Sequence, residues 1–185
     1  MSVSATFAYV QVRLQARHGA RPDEAVWHSL QGTSDFANYL QLARHTPLRS
    51  WVATLDPGQG SDEIEGELRR LFRMHVHEVA DWVPPAWRPA VLWMRRLPDL
   101  PALQYLLTDE PVPAWLQADA AMHDMGCLPV DSRLELMEQS DCNIFLTASQ
   151  TGESLPHAWL SHWRTLWPRA ARHDHGLDEL CKSLH

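Results

Sequence analysis

The sequence predicts an all-α fold, and three observations carry that prediction. Apolar residues recur at steps of three and four, most clearly from Ile64 to Val83. Strict apolar–polar alternation, the mark of a half-buried strand, is rare. Proline and glycine fall where helices would start and stop.

Taken in order, the first helix covers about residues 4 to 18. Phe7, Val10 and Leu14 form its apolar stripe, and Gly19 suits its end. Pro22 and Gly32 bracket a short second helix carrying Val26, Trp27 and Leu30. Ser34 can cap a third, with Phe36, Tyr39, Leu40 and Ala43 on its buried face. A short helical piece follows between Pro47 and Leu55, then the loop Asp56-Pro57-Gly58-Gln59-Gly60.

The fifth helix has the strongest pattern. Ser61 and Asp62 offer caps, and Asp62, Glu63 and Glu65 suit the positive end of the helix dipole. Ile64, Leu68, Leu71, Phe72, Val76, Val79 and Val83 keep a helical step until Pro84-Pro85 ends the run. A Trp-rich helix from Pro89 to Leu97 and a short one after Asp99 come next, with Pro101 tolerated in a first turn. Pro111 and Pro113 then break the chain. This gives an expected division into an N-terminal helical region, 1–109, and a C-terminal helical region, 110–185, packed on the first as one domain. Beyond it the expected helices run from about 113 to 125 with a stop at Gly126, and from Asp131 onward. Residues 142–147 fit helix or strand, with helix preferred. Another helix runs from Pro156 to Trp167, and a last short one follows Gly176.

Composition narrows the function classes. A chain of 185 residues with 45% hydrophobic and 21% charged residues is an ordinary globular protein. A net charge of -7 argues against nonspecific binding to DNA or RNA, which needs a basic surface. Cys127, Cys142 and Cys181 are odd in number and widely spaced, as expected of free thiols in a reducing cytoplasm. No secretory signal is expected, and no stretch has the length and apolarity of a membrane span. Nine tryptophans and eleven histidines are unusual enrichments.

Tyr9, Arg13 and Arg17 fall four residues apart, so a helix aligns them on one face. Two guanidiniums and a phenol suit holding a carboxylate, a helix-end carbonyl or a partner surface. Two readings stand for the arginines: ion pairing with acidic residues of the second and fifth helices, or contact with a partner. Trp159, Trp163 and Trp167 also repeat at steps of four, as either a core stripe or an aromatic face that docks a partner.

Metal and catalytic motifs are weaker. His75 and His77 lie about 200° apart on a helix and cannot share one ion. His77 and Asp81 make a better pair, but two ligands make no structural site. Arg172-His173-Asp174-His175-Gly176 matches the cations and glycine expected at a helix C-terminus. No metalloprotease, paired-cysteine, dinucleotide, phosphate-loop or nucleophile-elbow motif is present. The expected catalytic, cofactor and metal residues are therefore none.

The helical first half resembles a known family over about residues 7 to 107. The resemblance lies in Tyr9, Arg13 and Arg17 on the opening helix and in Phe36, Leu40 and Thr46 around the third. Glu65 and Leu68 at the start of the long helix complete the ordered set. This order is similar to the N-terminal part of the C-type subunit of V/A-type rotary ATPases, called the d-type subunit in the eukaryotic vacuolar enzymes. Members are usually longer, so this chain corresponds to part of their helical funnel. The resemblance implies a non-catalytic component or reduced relative that couples the central stalk to the membrane rotor ring in proton or sodium transport. It implies the central-stalk proteins and that ring as partners, no cofactor, and a cytoplasmic place peripheral to the membrane. The alternative expectation is a soluble helical adaptor, unrelated to ion transport, that docks partners through its Trp-rich face.

Overall fold

The computed structural model describes residues 3–169 and residue 171. All regular elements among them are helical. Packing divides the chain into two units, Met1–Met74 and His75–His185.

The first unit holds α1 (Val3–Gly19), α2 (Glu24–Gln31), α3 (Phe36–Ala43), α4 (Arg49–Val52) and the first half of α5 (Ser61–Trp82). The caps explain where α2 and α3 begin. The Asp23 carboxylate accepts from the Val26 N–H at 2.8 Å, and the Asp35 carboxylate from the Asn38 N–H at 2.9 Å. Asp35 thus takes the capping position expected of Ser34, because its extended backbone aims the carboxylate at the first free N–H groups. Leu30, Leu40, Ala43, Val52 and Leu55 form the core, flanked by Ile64 and Leu68 of α5. Of the expected face of α3, Leu40 and Ala43 are buried, whereas Phe36 is 38% exposed and stacks beside Tyr39. Arg44 donates to the Leu55 carbonyl, and Thr54 donates to Glu67 at 2.6 Å. These bonds tie the turn after α4 to α3 and α5.

The second unit takes up the chain within α5. After Pro84 a 3-10 turn (Pro85–Trp87) leads into α6 (Arg88–Trp93), a second 3-10 stretch (Met94–Asp99) and α7 (Leu100–Leu106). Then come α8 (Ala114–Ala118), α9 (His123–Gly126), α10 (Val130–Glu138), α11 (Asn143–Thr151) and α12 (Leu155–Leu166). The ambiguous 142–147 stretch is therefore helical. Gly152, at φ 76°, ends α11 in the left-handed conformation, and the Glu153 N–H closes the cap on the Ala148 carbonyl at 2.9 Å. Ser154 then caps α12 through the His157 N–H.

One expectation is corrected here. The helix expected over 113–125 is two helices. Asp119 between them is extended, and its buried carboxylate accepts the Ala121 N–H at 3.0 Å. A short acceptor that bonds its own backbone two residues on competes with helix continuation. Residues on either side of the expected 109/110 division pack together. Ala90, Trp93, Ala102, Leu103 and Leu106 share one core with Leu116, Met122, Met137, Phe145 and Trp163. Pro111 and Pro113 interrupt a helix, but side chains on either side of them still pack together. The helix expected after Gly176 lies outside the described residues.

Candidate functional site

The residues singled out in the sequence fall in two very different places. On α1, the three side chains follow the helical step, and the two nearest the N-terminus pair. Arg13 donates to the Tyr9 hydroxyl at 2.7 Å, and its guanidinium carbon lies 5.5 Å from the ring centroid. Tyr9 is 52% exposed, Arg13 is half-buried and Arg17 is exposed. The expected apolar stripe is only partly covered: Val10 is buried, Phe7 half-buried and Leu14 exposed. Val12, 65% exposed, lies on the same helix. The outward surface of α1 thus combines a phenol held by a guanidinium, a second guanidinium and two aliphatic side chains. Arg17 and His18 in the last turn suit the negative end of the helix dipole.

The tryptophan stripe of α12 turns inward. Trp159 and Trp163 are buried in the core of the second unit, and Trp167 is half-buried. The Trp163 indole N–H donates to the Ala90 carbonyl at 2.9 Å, and the Trp93 N–H donates to the Trp159 carbonyl at 3.2 Å. These two bonds fasten α12 to α6 in both directions. Trp159 stacks on Trp163 at 5.5 Å, Trp167 meets Trp163 edge-on at 5.3 Å, and Trp87 meets Trp167 edge-on at 5.4 Å. The physical reason is geometric. A step of four on an amphipathic helix marks the side that packs, and here α6, α7 and α11 cover it.

The histidine segments gather no ligand set. His75 lies 3.7 Å from Glu78, while His77 and Asp81 are exposed. Among the described residues, no group of three His, Cys, Asp or Glu side chains is placed to hold a metal ion. The 172–176 segment lies outside the described residues. No described helix is long and apolar enough to cross a membrane.

Three polar arrangements escaped the sequence reading. Arg133 is buried, and its guanidinium donates to the Leu106 carbonyl at 3.2 Å and the Leu128 carbonyl at 3.4 Å, clamping the end of α7. Arg96 bridges Asp99, at 3.5 Å, and Asp141 beside the buried Cys142. Burial pushes the Cys142 thiol above its ordinary pKa, against the pull of Arg96. The third is a thiol–imidazole pair, His123 at the start of α9 and Cys127 just after its end. Its four-residue step was visible in the sequence, whereas the Leu106 carbonyl that Arg133 holds lies 27 residues earlier, where no local pattern announces it.

A shallow groove of about 550 Å³ also lies in the second unit, between Leu100, Gln104 and Leu107 of the α7 region and Ser149, Glu153 and Pro156 around the start of α12. It gathers no histidine, cysteine or basic side chain.

Compared with protein-family models, with curated proteins and with solved structures, the chain matches none.

Proposed function

We propose that this chain is a non-catalytic relative of the C/d-type component of the rotary V/A-type ATPases, working as a helical spacer between stalk and rotor ring. The observation that carries the reading is the outward surface of α1. Tyr9, Arg13 and Arg17, the residues that match the family's opening helix, stand on a helix that leaves Tyr9, Val12, Leu14 and Arg17 exposed. Guanidiniums beside exposed apolar and aromatic side chains suit protein–protein contact, where such groups carry much of the binding energy. The all-helical architecture of the described residues also supports it. Docking through the tryptophan stripe has no part in this reading, since Trp159 and Trp163 are buried.

The test is charge reversal of both arginines, Arg13→Glu with Arg17→Glu, in cells that make the ring and stalk proteins. The expected result is loss of co-purification with those proteins at an unchanged melting temperature. Lost stability with retained co-purification would reduce the arginines to internal braces and sink the reading.

A further inference from the structure

We infer that Cys127 is a modification site, a surface thiol that exchanges with low-molecular-weight disulfides using His123 as its base. Nucleophile, base and orienting group occur together, which is the arrangement that activates a thiol. Cys127 is exposed, and its Sγ lies 3.7 Å from Nδ1 and 3.8 Å from Nε2 of His123. The His123 ring is held by the Gln117 backbone carbonyl, 2.6 Å from Nδ1. A carbonyl only accepts, so Nδ1 carries the hydrogen and the neutral ring keeps Nε2 as its acceptor. That nitrogen lies 3.8 Å from the Cys127 Sγ, within the reach of a sulfur hydrogen bond.

The local fold makes this pairing and leaves the thiol open. Asp119 breaks the helix so that α8 and α9 are separate pieces. α9 lies against α8: a Cβ at Gly126 would make ordinary contact, 3.5 Å, with the Gln117 Cα and the Leu116 carbonyl oxygen. Residue 123 therefore sits against the carbonyl of residue 117, with residue 127 one turn further on. Cys127 follows the C-terminus of α9. The imidazole is the activating group.

In the exchange, His123 Nε2 takes the thiol proton and becomes imidazolium. The Cys127 sulfur attacks one sulfur of the disulfide, a new S–S bond forms, the old one breaks, and the other half leaves as thiolate. The disulfide is the oxidant, and the protein is left with a reversible cap on the α8–α9 surface. Cys142 offers the contrast, being buried with its thiol pKa raised.

The probe is neutral 4,4′-dithiodipyridine at pH 7, read by release of thiopyridone, with the adduct mapped by mass spectrometry. The expected result is a phase that Cys127→Ser abolishes and that runs at least about threefold faster than glutathione under the same conditions. His123→Asn keeps a donor for the Gln117 carbonyl but removes the base, and it should bring that phase down to the glutathione rate with an unchanged circular dichroism spectrum. Labelling of Cys127 in the unaltered protein no faster than glutathione overturns the proposal, whatever the variants do. An unchanged rate in a folded His123→Asn protein overturns the role of the base.

Discussion

The two units of this chain handle their large side chains in opposite ways. In the first, Tyr9, Val12, Leu14, Trp27, Phe36, Leu42 and Met74 are exposed, and the core is a compact set of aliphatic residues. In the second, only Leu97, Tyr105 and Leu136 are comparably exposed among the described residues, and tryptophans fill the core. The second unit takes its large side chains inward and satisfies two buried indole N–H groups with backbone carbonyls. The first adds polar cross-links at its surface, such as those from Thr54 and Arg70 to Glu67. Aromatic enrichment therefore means different things in different parts of one chain: cohesion in the second unit, available surface in the first.

The largest expected effect sharpens this contrast directly. Trp163→Ala removes a buried ring and its bond to the Ala90 carbonyl, and should cost about 3–5 kcal/mol in urea unfolding. Trp27→Ala, at a site 42% exposed, should cost less than about 1 kcal/mol. Equal losses would break the comparison.

A smaller effect is expected at the end of α11. Gly152→Ala forces a Cβ into the left-handed conformation and should cost about 1–2 kcal/mol in the same unfolding experiment. The space around the position is open, so no steric clash adds to the backbone strain.

The smallest concerns the polar cross-links of the first unit. Glu67 accepts from Arg70 Nε at 2.6 Å and from Thr54 at 2.6 Å. The hydrogen bond from Arg70 chiefly, opposed by burial and helped by Thr54, lowers its pKa from 4.5 to about 2. A depressed carboxylate pKa adds stability that is fully present above pH 4.5 and fades as pH falls toward about 2. Glu67→Gln should flatten that part of the stability–pH curve by lowering stability slightly at neutral pH and leaving it nearly unchanged near pH 2. The effect is small because Arg70 is exposed and solvent screens the pair. A slope that survives the substitution would assign it to other carboxylates.

What the sequence made legible follows from the range of the forces involved. The bounds of α5 could be read because Ile64 through Val83 repeat the helical step and Pro84 stops it. The start of α3 could be read to within a residue, since capping is a contact across three positions, whereas α2 begins two residues after the Pro22 that marked it. The split at Asp119 was missed because a single carboxylate bonding its own backbone leaves the surrounding helical pattern intact. Periodicity on α12 indicated which side of the helix is special, but not what covers it. That depends on α6, some 70 residues earlier in the chain, where Ala90 offers the carbonyl that Trp163 requires. Of the candidate residues, Tyr9 and Arg13 pair through a local step of four, which the sequence displays openly.

The ring-to-ring chain from Trp87 through Trp167 and Trp163 to Trp159 has an optical consequence. Indoles held 5.3–5.5 Å apart at fixed angles form a chiral chromophore whose signal depends on their mutual geometry rather than on helix content. Loss of side-chain packing erases near-ultraviolet dichroism while far-ultraviolet dichroism persists. The second unit therefore carries a built-in gauge of its own tertiary order, and unlabelled protein suffices to watch α12 part from α6 before any helix melts.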